Sequence, residues 1–236
     1  MAKTFTEWTV LKHSALVQAQ DNLWHVEGAI PKMALKRRMT VVRRDDGDLV
    51  LHSPMALDEE SMAAIEALGR VAYILVPNGW HRLDAPNFRK RYPEAKLLCP
   101  SGSKKKVSEV VEVDGTYEDF PADPAVSLQY LEGIKKLEGV LIVKHEGKAT
   151  IVFNDCLFNL RHGKGISGLL FRILGSSGGP KVTRIMRLFA IKDKKALRTG
   201  LESLADTEGL CRLIPGHGKP IEEEASATLR KVASTL

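Results

Sequence analysis

Two short segments of this 236-residue chain, Ile151-Val152-Phe153-Asn154-Asp155 and Leu213-Ile214-Pro215-Gly216-His217-Gly218, each end an apolar, strand-like run on a metal-capable side chain. A carboxylate and an imidazole are both ligands for divalent transition metals such as Zn²⁺, Fe²⁺ and Mn²⁺. Each residue also has a purely structural reading. An Asp at a strand end caps nearby backbone N–H groups, and a His between two glycines ties down a tight turn. Other chemistries find less support: there is neither a G-x-S-x-G nucleophile elbow nor a phosphate-binding P-loop, so Ser/His/Asp hydrolysis and nucleotide binding are not indicated.

The background composition is that of an ordinary globular chain, with 44% hydrophobic residues. Thirty-five Lys and Arg against 29 Asp and Glu give a net charge of +6, enough to attract phosphate-rich partners by long-range steering. The charges are scattered, however, and the densest run, Lys104-Lys105-Lys106, reads as a solvated turn or helix start. Cys99, Cys156 and Cys211 are odd in number and share no metal-ligand spacing, so neither a disulfide framework nor a zinc knuckle is expected and a reducing compartment fits. The first ten residues hold no apolar core of a signal sequence, and no stretch approaches the roughly 20 apolar residues of a membrane span. A cytoplasmic protein without a membrane partner is the expectation.

The elements that must position Asp155 and His217 follow from the hydrophobic pattern. Strands are expected at 15–19, 23–27, 39–43 and 49–52, with Asp45-Asp46-Gly47-Asp48 as a hairpin turn. Asp58 caps a helix with Met62, Ile65 and Leu68 at helical spacing, and the wholly apolar run 73–76 is a strand buried on both faces. A helix end at 87–92, strands at 96–99 and 110–114, and a Pro-containing acidic loop at 117–124 come next. Strands at 139–144 and 149–153 form a hairpin around His145-Glu146-Gly147-Lys148. Six glycines interrupt an apolar segment between 163 and 179, where mobile or partner-facing structure is expected. Helices at 182–191 and 194–204 carry stripes (Ile185, Leu188, Phe189; Leu197, Leu201, Leu204) that read as packing surfaces, and a last strand, 210–214, precedes a C-terminal helix over 222–236.

The strand order, the Asn154-Asp155 strand end and the Pro-Gly-His-Gly loop together resemble the metallo-β-lactamase superfamily, over about residues 16–221. Arg38-Met39-Thr40-Val41-Val42, Leu51-His52-Ser53-Pro54 and Val76-Pro77-Asn78 followed by His81 look like a divergent branch of it. The resemblance implies a single domain over 1–236 with an α/β fold, a four-layer αββα sandwich whose metal ligands sit on loops at one edge of two sheets. The family's H-x-H-x-D-H motif, laid after the strand 73–75, puts its last His on His81, its Asp on Trp80 and its other two His on Val76 and Asn78. The motif is eroded. Asp155 matches the bridging Asp and His217 the last His, so the resemblance implies that His81, Asp155 and His217 serve one metal position, while the ligands of the other are lost. His145 is the sole candidate for the family's remaining His, Asp84 and His162 are stand-ins, and His52 replaces the Asp of the usual I-D-T-G turn.

Two imidazoles and one carboxylate can hold one Zn, Fe or Mn ion and acidify water for hydrolysis. Two readings therefore stay open. One is a mononuclear metal-dependent hydrolase of an ester, thioester, lactone or phosphoester. The other is a metal-free, non-catalytic module of the same fold that binds a small molecule or a protein partner. Nucleic-acid processing ranks behind both, since two-metal nuclease chemistry needs the ligands that are missing. Substrate, general acid or base, and oligomeric state have no signature in the sequence.

Overall fold

The first fifty positions fold into an antiparallel ladder joined by tight turns, and the short strands after it run parallel, the first of them the apolar Val71–Leu75. The computed structural model describes residues 4–236, and these separate into two units between Leu128 and Gln129. In the first, β1 (Val17–Gln20), β2 (Leu23–Ile30), β3 (Met33–Arg43) and β4 (Leu49–His52) pair antiparallel. They are continued in parallel by β5 (Val71–Leu75), β6 (Lys96–Cys99) and β7 (Gly115–Thr116), giving one seven-stranded sheet in sequence order. Parallel neighbours need crossovers. These contain α1 (Glu59–Glu66), α2 (Ala85–Arg91) and the single turn α3 (Lys104–Val107).

Most expected elements form. Asp58 caps α1 by accepting from the Ser61 N–H at 2.8 Å, and Met62 and Ile65 enter a core with Val41, Leu51, Ile74 and Phe88. The expected strand over 110–114 does not form. Its last residue meets β6 once through the backbone, Asp114 N–H to the Leu97 carbonyl at 3.0 Å, but the Leu97 N–H is taken at 2.6 Å by the Asp114 carboxylate, which also pairs with Arg89, so the registered ladder is Gly115–Thr116.

The second unit contains two further sheets. β8 (Val126–Tyr130), β9 (Gly139–His145), β10 (Lys148–Val152) and β13 (Leu210–Ile214) form one in the order β13-β10-β9-β8. β11 (Phe158–Leu160), β12 (Gly179–Lys181) and β14 (His217–Gly218) form the other. The β9–β10 turn is the expected hairpin, with Glu146 and Gly147 both at positive φ. The helices α4 (Gly165–Ile173), α5 (Arg184–Phe189), α6 (Lys194–Ala205) and α7 (Ala225–Ser234) complete the unit. Leu197, Leu201 and Leu204 of α6 pack as expected, with Leu229 and Val232 of α7 and Ile151, Phe153 and Leu213 of the sheet.

Two expectations for this unit are corrected. Between the loop at 117–124 and the strand at 139–144 the pattern predicts no strand, yet β8 forms from alternating residues in which Val126 is buried while Ser127 and Gln129 are exposed. The Ile185, Leu188 and Phe189 stripe is not a packing surface: all three side chains are exposed, and only Met186 of α5 is buried.

Candidate metal centre

Parallel pairing is what brings Asp155 and His217 together. β10 and β13 run side by side with Ile151 opposite Leu213 and Val152 opposite Ile214, so both chains leave the sheet at the same end. The loops that follow then lie next to each other, as at the carboxyl ends of parallel strands generally. His217 Nε2 is 3.1 Å from Asp155 Oδ1, and the imidazole is 3% exposed. Its ring lies 4.6 Å from the Phe158 ring, centroid to centroid.

The glycines that flank His217 are required by space and by backbone conformation. A Cβ on Gly216 would meet Asn154 Oδ1, Cα and O at 2.9, 3.0 and 3.1 Å. Gly218 has φ of +99°, and a Cβ there would fall 2.0 Å from the Asn159 carbonyl oxygen. The buried Asn154 amide has neither Nδ2 nor Oδ1 in a hydrogen bond, a costly arrangement that leaves donor and acceptor capacity beside the pair.

Glu138, just ahead of β9, fixes the Asp155 loop from behind. Its buried carboxylate accepts from the backbone N–H groups of Asn154 at 3.2 Å, Asp155 at 3.0 Å and Cys156 at 2.9 Å. A carboxylate facing three N–H dipoles compensates much of its burial cost and holds the turn rigidly. Sequence reasoning missed this residue; the available signal was an acidic side chain directly before the apolar run Val140–Val143.

His81 belongs to the first unit, on the loop after β5. Asn78 Oδ1 accepts from the N–H groups of Trp80 at 2.8 Å and of His81 at 3.1 Å, folding the loop into a side-chain-capped turn. Ser53 Oγ lies 3.0 Å from His81 Nδ1 and so engages that ring nitrogen. Ser53 itself has φ of +55°, a conformation that costs a non-glycine residue free energy. Beside it His52 is buried, and burial, reinforced by the His81 charge, pushes its pKa down to about 3. Trp80, on the same loop, is 58% exposed.

The stand-ins take other roles. Asp84 is fully buried in an ion pair with Arg37 and also accepts from the Ala56 N–H at 3.4 Å, so it is not the replacement carboxylate. Burial pushes its pKa up while Arg37 opposes the shift. His162 Nδ1 is 3.0 Å from Ser177 Oγ, and His145 ends β9 opposite Lys148 at the hairpin turn.

The donor chemistry of Asp155 and His217 fits a divalent transition metal: one imidazole nitrogen and one carboxylate oxygen, close together and braced by buried groups. Comparison with known proteins bears on the fold that carries this arrangement. A family model described as "Domain of unknown function (DUF4336)" matches residues 20–103. No curated protein matches in sequence. Among solved structures, a metallo-beta-lactamase from Pontibacter korlensis covers 95% of this chain and 100% of its own, at 9% identity and a TM-score of 0.63. A DIM-1 metallo-beta-lactamase exposed to ceftazidime covers 96% of this chain and 98% of its own, at 14% identity and a TM-score of 0.63. The TMB-1 structure gives 10% identity with the same coverage and TM-score. The chain therefore has the metallo-β-lactamase fold, as its sequence led us to expect.

Proposed function

We propose that this is a single-domain metallo-β-lactamase-fold protein in which His81, Asp155 and His217 together hold one divalent cation, and that it is a hydrolase of an ester, thioester, lactone or phosphoester. The observation that carries this reading is the pairing of the buried His217 with the partly buried Asp155, with Glu138 clamping three consecutive N–H groups behind it. A surface histidine or a strand-end cap would have no need of such bracing. We further propose that Val76 and Asn78 stand where the eroded motif once had its other histidines; the Asn78 side chain now shapes the turn that presents His81.

In this reading Zn²⁺, Fe²⁺ or Mn²⁺, when bound, supplies Lewis acidity that polarises a carbonyl or phosphoryl oxygen and acidifies water. The chain's own residues do the rest. Ser53 fixes which nitrogen His81 presents, Glu138 holds Asp155 on its loop, and the Phe158 ring fixes the plane of the His217 imidazole. The idle Asn154 amide has a donor and an acceptor free to orient a polar substrate group.

A second reading rests on Asn78 and Trp80. A turn-shaping amide and an outward-facing indole replace two motif residues, and that favours a non-catalytic module of the same fold. The two are separated by assaying the purified chain against a panel of carboxyl, thiol and phosphate esters and a lactone, before and after chelation. A hydrolase loses activity on chelation, regains it with one metal equivalent, and fails to regain it as His217→Ala. Absence of turnover on every substrate class in protein loaded with one equivalent would favour the binding module.

A further inference from the structure

From residue 156 to residue 192 the chain has no Asp or Glu, although it holds seven Lys and Arg, at 161, 164, 172, 181, 184, 187 and 192. Within this basic segment α4 turns its apolar side outward. Ile166, Leu169, Leu170 and Ile173 recur at helical spacing and are all exposed, Ile166 at 89%, while Gly168 is the helix's one buried residue. α5 adds Ile185, Leu188 and Phe189, with Leu188 at 74%. Seven large apolar side chains on two neighbouring helices exceed the scattered exposure normal for a monomer.

Next to these helices lies a cleft of about 390 Å³ lined by Gly175, Gly178, Pro180 and the cations Lys181, Arg184 and Arg187. Their N–H groups rest on neutral oxygens: Lys181 Nζ on the Ser177 carbonyl at 2.7 Å, Arg184 on the Ile173 carbonyl at 2.8 Å, and Arg187 on the Thr235 carbonyl at 2.8 Å. Among the described residues no carboxylate pairs with these three cations, so the cleft keeps its positive charge.

We propose that α4 and α5 form a peripheral docking surface for an anionic membrane, with the apolar stripe at the boundary of head groups and acyl chains and a lipid phosphate in the Lys181–Arg184–Arg187 cleft. An apolar helix face flanked by Lys and Arg is the chemistry of an interfacial helix, and attraction to anionic lipid adds to the burial of its apolar side chains. Charge complementarity selects this occupant. A second copy seated on the same face in a two-fold dimer would set one cationic segment against another. A nucleic acid would use the cations and leave the apolar stripe without a partner. This surface is independent of the metal centre and stands or falls separately from the hydrolase reading.

The test is co-sedimentation of the full chain with vesicles of phosphatidylcholine alone and of phosphatidylcholine with phosphatidylglycerol. The expected partition into anionic vesicles is at least about tenfold above the neutral ones and falls with added salt. Leu169→Asp/Leu170→Asp should abolish it, and Leu188→Asp, on the other helix, should weaken it about tenfold with an unchanged circular dichroism spectrum. Arg184→Glu should weaken it without affecting residual binding to neutral vesicles. Equal binding to both vesicle types would overturn the proposal, as would undiminished binding of the double Asp variant. So would full competition by soluble glycerophosphate, which would assign the cleft to a free phosphate. A wild-type dimer that the double Asp variant turns into a monomer would assign the face to a second copy.

Discussion

Glu138 and Ser53 act on the proposed ligand residues Asp155 and His81, and each makes a distinct expectation. Gln at position 138 keeps the shape but removes the charge and turns an NH2 group toward backbone donors. Charge-assisted bonds of this kind are worth about 1.5–3 kcal/mol, so Glu138→Gln should lower unfolding stability by about 2 kcal/mol in urea titrations; an unchanged midpoint would remove Glu138 from its bracing role. Ser53→Gly separates geometry from stability. Relief of the positive φ should leave stability equal or raise it by up to about 1 kcal/mol, while loss of the hydroxyl behind His81 should weaken metal uptake about tenfold in chelator competition. If uptake is unaffected, Ser53 does not orient His81. Asp155 and His217 were legible in the sequence because each ends a long apolar run. Glu138 and Ser53 were not, since their roles arise from chain convergence: Glu138 is 17 positions from Asp155 and Ser53 is 28 from His81.

At the scale of elements, the parallel pairing of β10 and β13 is the decisive feature, because it sends two loops from one end of a sheet. Both strands were readable as apolar runs. Their adjacency was implied by the family resemblance alone, since periodicity says nothing of which strands pair. The errors have local causes. The side chain of Asp114 pre-empts the expected strand at 110–114, and α5 has a packing-type stripe that the fold leaves uncovered. Burial within these elements also sets thiol chemistry. At the end of β6, Cys99 has its pKa pushed up to about 12 by burial, with Lys104 opposing. Cys156 is pushed well above the usual thiol range by burial and by the Glu138 and Asp155 carboxylates. Cys211 is partly exposed, and all three are free. Since the thiolate is the reactive form, a disulfide reagent at pH 8 should label Cys211 in the native protein and all three cysteines in urea. Rapid native labelling of Cys156 would show that the Asp155 loop opens.

At the scale of the whole molecule, the fold was recoverable because the resemblance rests on segments spread from Arg38 to Gly218. What the sequence left open was whether the proposed centre holds a cation, since His81, Asp155 and His217 suit either a hydrolase or a relic of one. Binding to the folded state alone adds about 2.7 kcal/mol when metal exceeds its dissociation constant a hundredfold. Chelation should therefore lower the melting temperature of the wild-type protein, and should leave His81→Ala and His217→Ala unmoved. A chelation shift that persists in both variants would place the cation elsewhere. Among the described residues no helix is long and apolar enough to cross a membrane. The most direct measurement is elemental analysis of untagged protein. About one equivalent of zinc, iron or manganese per chain is expected, falling to near zero in His217→Ala. Well under one equivalent in wild-type protein grown with ample metal, or an undiminished content in the variant, would show that this centre does not hold a cation.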